Sequence, residues 1–380
     1  MLSHLPSPGP ALTSNCADTR FLTWFSPCIW GSIDGYPRIR KFLHGTAFGR
    51  ALVDGFWSVL GGDVLALNKY DSHPKTALLK PWTEAMFTGP SFSILNYDTD
   101  FFELVKGDLV DIHVGEIDHL SPGKVHLADG TEFKSDALLA NTGWKHVPPM
   151  KFSPAGIEKE LGLPHELAEN APEEDLANQK PLLEKADLEI FDRFPRLKSQ
   201  PTWNKNYVPL TEQKGIKSDD QVTPCKPLTQ YMLYHFLVPP SERFLRTRDI
   251  AFVGVVSNFS NVITAHLQGL WVAAYFSGRL ANDPSAAVGD KEAMTRVQYE
   301  AVLHNRFGKW RYPTDGIKSP AFIFDAVPYL DLLQTDLGLD PHRKGGSWSD
   351  IWSPYGPRDY QGVNEDWEKK YGGGKPAPLE

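Results

Sequence analysis

Between residues 110 and 133 the chain alternates with a period of two. Val110, Ile112 and Val114 interleave with Asp111 and His113, and Val125 and Leu127 with His126 and Ala128. Such alternation sets one face on a core and the other in water, which predicts strands. Asp129-Gly130 follows, a pair suited to the positive φ of a tight hairpin, and Thr131-Glu132-Phe133 leads back. An antiparallel meander is therefore expected within 101–144. Two later runs abandon the alternation. Ala137-Leu138-Leu139-Ala140 and Ile250-Ala251-Phe252-Val253-Gly254-Val255-Val256 are continuously apolar. That pattern predicts strands covered on both faces, as in a parallel sheet between helices. The first run stops at Asn141-Thr142-Gly143, the second at the polar turn 257–261. From 262 to 278 the period lengthens, and Ile263, Leu267, Leu270 and Ala274 mark one face of a helix that Gly278 would end.

The rest of the chain is read more coarsely. Residues 150–224 are polar and Pro-rich and predict an insertion with short surface helices at 157–171 and 181–194. Met294, Val297, Ala301 and Val302 predict a helix over 292–307, and 321–339 is a second apolar stretch that Pro328 would break or kink. The segment 262–280 carries Thr264, His266, Gln268 and Arg279, so a buried core helix is expected there and no membrane span. Residues 1–19 lack a basic start and an unbroken apolar run, which reads as a disordered leader rather than a secretory signal. The GGGKPAP stretch near the end reads as a frayed tail.

Composition narrows the function classes. At 380 residues, 41% hydrophobic and 23% charged, the chain reads as globular with two or three domains. A net charge of -8 argues against a nucleic-acid partner. Aromatics at 12%, with 11 Trp, can line a pocket for a planar ligand. Three Cys form no CxxC, which points to a reducing compartment, and the absence of a targeting signal leads to a cytoplasmic expectation. Twelve His form no HxH, HExxH or HxxxH, so no metal site is expected. GxSxG, GxxxxGK[ST] and GxGxxG are all absent; Gly45-Thr46-Ala47-Phe48-Gly49-Arg50 is only superficially like the last and follows no clear strand. Asp98, Asp100, Glu103, Asp108 and Asp111 read as a solvated face, and no residue stands out as a general acid or base. The catalytic residues are unassigned.

The ordered pieces resemble flavin-containing monooxygenases. Ala137-Leu138-Leu139-Ala140-Asn141-Thr142-Gly143-Trp144 is similar to the family's strand ending in Thr-Gly-Tyr, with Trp in place of Tyr. The run 250–254, with Thr264-Ala265-His266-Leu267-Gln268 and 271–278, resembles its last strand and flavin-facing helix. The run 233–240 resembles the segment just before them. Phe42-Leu43-His44-Gly45-Thr46 and the run 324–333 resemble the fungal, metabolite-pathway group of such enzymes. The likeness covers Arg20 to about Trp367.

This resemblance implies an α/β fold, a partial two-dinucleotide-binding-domain (Rossmann-like) flavoprotein with an antiparallel meander and C-terminal helices. Its implied parts are a leader (1–19), a remnant of the NADPH domain (20–100), part of the FAD domain (101–282) and a C-terminal helical extension (283–380). It implies FAD and NADPH as cofactors and dioxygen oxygenating a small organic substrate, with the cofactor carrying the chemistry. Thr142, Gly143, Trp144 and Gly254 would pass close to cofactor. Asn261 and Thr264 would sit at a helix N-terminus by the flavin ring, and Arg20 would meet the 2′-phosphate of NADPH. The strand ends at Thr142 and Gly254 would lie side by side. The family's two glycine-rich loops are not in this sequence. That leaves open a missing N-terminal half or second chain as partner, and the alternative of a remnant that binds a ligand or partner without redox activity.

Overall fold

Apolar stripes from helices far apart in the chain converge on one aromatic core. The computed structural model describes residues 19–81, 83–88, 99–115, 117–141, 150–165, 173–201, 229–258, 260–313, 320–346 and 348–372. Its longer elements begin with helices α1 (Arg20–Phe25), α2 (Pro37–Gly45), α3 (Ala47–Asn68) and α4 (Phe101–Lys106). Strands β1 (Ile117–Ser121), β2 (Lys124–Leu127) and β3 (Glu132–Lys134) follow. Then come helices α5 (Glu173–Arg193), α6 (Glu242–Thr247), α7 (Asn261–Phe276), α8 (Lys291–Arg311), α9 (Ala326–Asp336) and α10 (Val363–Tyr371). The described chain is thus mainly helical with one small antiparallel sheet, ordered β1-β2-β3.

Local chemistry sets the helix starts. The Thr46 hydroxyl accepts from the Gly49 N–H and caps α3, and Asp290 accepts from the Glu292 and Ala293 N–H groups to cap α8. Along α3 the buried positions Val53, Trp57, Leu60 and Val64 keep a helical spacing toward the core. Gly49 lies where the end of α2 crosses the start of α3. A Cβ there would fall 2.1 Å from the Phe42 carbonyl oxygen. The glycine pair at 45 and 49 therefore belongs to a helix corner, not to a phosphate loop. Helix α9 is buried on nearly every side and forms the centre of the core. Pro328 sits in its first turn, where a missing N–H breaks nothing, so it opens the helix instead of breaking it.

The hairpin stands where the sequence places it. Gly130 has φ +88°, and Lys124↔Lys134, Val125↔Phe133 and His126↔Glu132 pair across β2 and β3. Three other strand expectations are corrected. Residues 110–114 form no strand. Neither do 136–141, where Leu139 is 95% exposed, nor 249–256, where Val253 is 60% exposed. The nearest ladder to the last run is a single parallel bridge, Ser257↔Ala321. A β-rich composition states fitness for a pleated, covered surface, and among the described residues no partner strand supplies one. The segment 150–224 is also more than a surface insertion: Ala186, Ile190 and Phe194 of and beside α5 enter the main core. Among the described residues no helix is long and apolar enough to cross a membrane.

One buried histidine makes this core acid-sensitive. His44 places Nε2 3.0 Å from the Trp24 carbonyl oxygen. Burial, aided by the charges of Arg40 and Arg311, lowers its pKa to about 4. The unfolded chain takes up this proton near pH 6.5 and the folded chain does not. Stability is therefore fully present above pH 6.5 and is lost as pH falls toward 4, by up to about 1.4 kcal/mol per pH unit. Urea midpoints of the parent and His44→Gln across pH 4–7 should converge as the pH falls; parallel curves would refute the assignment.

Candidate functional site

The expected flavin-facing turn is a hydrogen-bonded unit. Gly254 has φ +78°, which suits glycine alone, and the space beside its Cα is open. Its N–H donates to Gln268 Oε1 at 3.1 Å. Asn258, buried within the turn, donates from Nδ2 to Thr264 Oγ1 at 2.9 Å and accepts from the Ser260 N–H at 2.8 Å. The Asn258 N–H in turn donates to Asn261 Oδ1 at 2.8 Å. Ser260 precedes α7 without a side-chain capping bond, and Asn261 and Val262 are exposed in its first turn. A helix start left uncapped by its own side chain, with the positive end of the dipole behind it, can receive an electron-rich group.

The structure joins Asn261 and Thr264 through Asn258 and holds Gly254 separately through Gln268 of the same helix, and neither Asn258 nor Gln268 is among the expected site residues. Their signal was available: polar side chains on the buried face of an apolar helix, or inside a turn, need partners. Gln268 also donates from Nε2 to Tyr329 Oη at 3.0 Å, and the Tyr329 hydroxyl donates to the His235 carbonyl oxygen at 2.9 Å. The turn is thereby tied to the centre of the core. Thr142, Gly143 and Trp144 lie outside the described residues.

Arg20 has another occupation than the phosphate contact expected of it. It is buried, bidentate to Asp331, and donates to Tyr355 Oη at 3.1 Å and to the Pro341 carbonyl oxygen at 2.6 Å. All three guanidinium nitrogens donate within the fold, and the side chain is 1% exposed, which gives Arg20 a structural role. A cleft of about 300 Å³ lined by Lys159, Leu183, Met232, Ser241 and Gln298 touches none of the expected site residues.

A second polar cluster lies at the far end of the Gln268–Tyr329 chain. His235 places Nδ1 2.6 Å from Asp336 Oδ2 and Nε2 2.9 Å from Glu300 Oε1. Burial would lower its pKa, but the two carboxylates outweigh burial and push it up to about 9. Burial and the neighbouring charge of His235 hold His304 neutral, with its pKa lowered to about 3. His235 and Phe236 both adopt positive φ, +47° and +63°, a conformation that holds only where the surroundings enforce it.

Comparison with known proteins identifies the kind of chain this is. It is 28% identical over 356 residues to the FAD-dependent monooxygenase rstn6 of Aspergillus nomiae, covering 92% of this chain and 56% of that protein. By sequence, the chain is a relative of fungal FAD-dependent monooxygenases. It is 30% identical over 363 residues to resA of Aspergillus sclerotiorum (92% and 57% covered). It is also 27% identical over 361 residues to DEP4 of Alternaria brassicicola (93% and 56% covered). The chain thus spans a little over half the length of these relatives. No family model and no solved structure matches it.

Proposed function

We propose that this chain forms the flavin-facing part of an FAD-dependent monooxygenase that uses NADPH and dioxygen on a small organic substrate, in secondary-metabolite biosynthesis. The observation that carries this reading is similarity to FAD-dependent monooxygenases over more than nine-tenths of the chain. The turn geometry supports it. Open space beside Gly254 lets a flat ring approach the backbone, and the start of α7 at Asn261 offers donors to its polar edge. Thr264 and Asn258 hold that turn in shape. The chemistry that FAD would supply there is the transfer of two electrons from NADPH to dioxygen, so that, with one proton taken from solvent, one oxygen atom enters the substrate and the other leaves as water. In this reading the backbone at Gly254 and the first turn of α7 at Asn261 would orient the ring, and the cofactor would carry the chemistry.

The reading extends to a partner and to the fold. No glycine-rich phosphate loop exists in this sequence. The adenosine diphosphate of FAD would therefore be anchored by a further polypeptide, an N-terminal half or second chain of two-dinucleotide-domain type. Leu138, Leu139 and Val253 stand exposed in runs whose composition suits covered strands, which supports such a segment pairing with them. Titrating the purified chain with FAD and following flavin fluorescence tests the site. Saturable quenching is expected, weakened roughly tenfold by Gly254→Val, whose side chain fills the open space and disfavours the positive φ. A second reading, a remnant without redox activity, is favoured by the same missing loop. NADPH-dependent oxygen uptake by the chain would refute it, and absence of any saturable flavin binding would favour it.

A further inference from the structure

The His235 cluster offers more than a buried ion pair. Glu300 and His304 stand one turn apart on α8, and the positive-φ turn at His235 delivers a second imidazole to them. His235 Nε2 lies 2.9 Å and His304 Nε2 3.9 Å from the same Glu300 oxygen. One donor atom from each of the three residues falls within 4.8 Å of the other two. Tetrahedral ligation at zinc-type bond lengths sets ligand atoms about 3.3 Å apart, so a small contraction closes the set.

Three further observations fit an ion. Asp336 accepts from His235 Nδ1 and is itself held by Trp271 Nε1–H at 2.9 Å, which leaves Nε2 to face Glu300 and His304. A carboxylate behind a ligating imidazole is the usual outer support of such a centre. His304 Nδ1 is buried without a hydrogen-bond partner, so the ring can turn about its last torsion without breaking a bond. Glu300 is 40% exposed, which gives an ion a route from solvent.

We propose that His235, Glu300 and His304 bind one zinc-class divalent cation, with water in the fourth position. The cation takes the place of the proton shared between His235 and Glu300. The set of two imidazoles and one carboxylate selects zinc-class ions over magnesium or calcium, which prefer all-oxygen sites. The site is independent of the flavin reading, since none of its ligands belongs to the turn.

The test uses the full chain, stripped with EDTA and titrated with zinc by calorimetry and with cobalt by visible spectroscopy. One equivalent of zinc and tetrahedral cobalt bands are expected. Glu300→Gln, at a half-exposed position, and His304→Gln should each weaken binding by roughly 100-fold, with helicity preserved. His126→Ala, which removes the stacked His119–His126 pair of the sheet, should leave the stoichiometry at one. No saturable binding, binding undiminished in the folded Glu300→Gln variant, or binding abolished by His126→Ala would each overturn the site.

Discussion

Asp331→Asn is expected to lower folding stability by roughly 3–5 kcal/mol, because it strands the Arg20 charge in the core. Both side chains are 1% exposed. The pair also joins the start of the described chain to α9, more than 300 residues away. Tyr355 and Pro341 add two more bonds to the same guanidinium, and they cannot replace a lost counter-charge. A buried pair of this kind need not stabilise relative to a well-packed apolar one, so the double variant Arg20→Met/Asp331→Leu should lose far less than the two single losses added together. Urea unfolding of the three variants and the parent measures this. A loss under about 1 kcal/mol for Asp331→Asn would mean that the pair is solvated.

A neighbouring network shows the same design. Ser26 Oγ–H donates to Asp325 Oδ1 at 2.7 Å, Arg311 Nη2 donates to Ser26 Oγ at 3.0 Å, and Tyr312 Oη–H donates to Asp325 Oδ2 at 2.7 Å. Polar groups buried this deeply hold the N-terminal helices in register against α8 and α9 because any other packing leaves them unpaired. Nothing in the local sequence announces such partners. Arg20 sits in an ordinary Thr-Arg-Phe-Leu stretch, which explains why an expected phosphate ligand became a structural cation.

What the sequence made legible was local. Asp129-Gly130 fixes a hairpin through the φ angles of two residues, and α7 and α8 follow from stripe spacing, whereas the long helix α3 is not among the elements read from the sequence. The runs 136–141 and 249–256 misled because continuous apolarity says only that a segment is to be covered, not by what. Their strand form depends on neighbours far away in the chain or beyond the described residues. The start of a helix after the polar turn 257–261 agrees with α7 beginning at Asn261, although the run before it is no strand. Asn258 in the turn and Gln268 on the buried helix face signal by their polarity that they need partners, but not which partners. The His235 cluster was the least legible of all. Its members are 65 and 101 residues apart, and the Glu300–His304 spacing alone matches no metal motif.

Trp271→Ala should cost about 3–5 kcal/mol, the range for deleting a fully buried indole. Trp271 is 0% exposed and stacks on Tyr275 with ring centroids 5.4 Å apart. It lies on the core face of α7, one turn beyond Gln268 and on the helix that opens at the expected flavin edge. Trp271→Phe keeps most of the volume and removes the bond to Asp336, so it should cost less, about 1–3 kcal/mol for the polar group left short of a partner. Thermal melting of both variants gives the order. The Phe variant also separates two roles of the helix. If α7 serves the flavin only through its first turn, that variant at temperatures well below its melting point should bind FAD as the parent does, whereas Gly254→Val at the same temperature should not. Equal loss of flavin affinity in both would mean that the core of the helix, rather than its N-terminal turn, shapes the site.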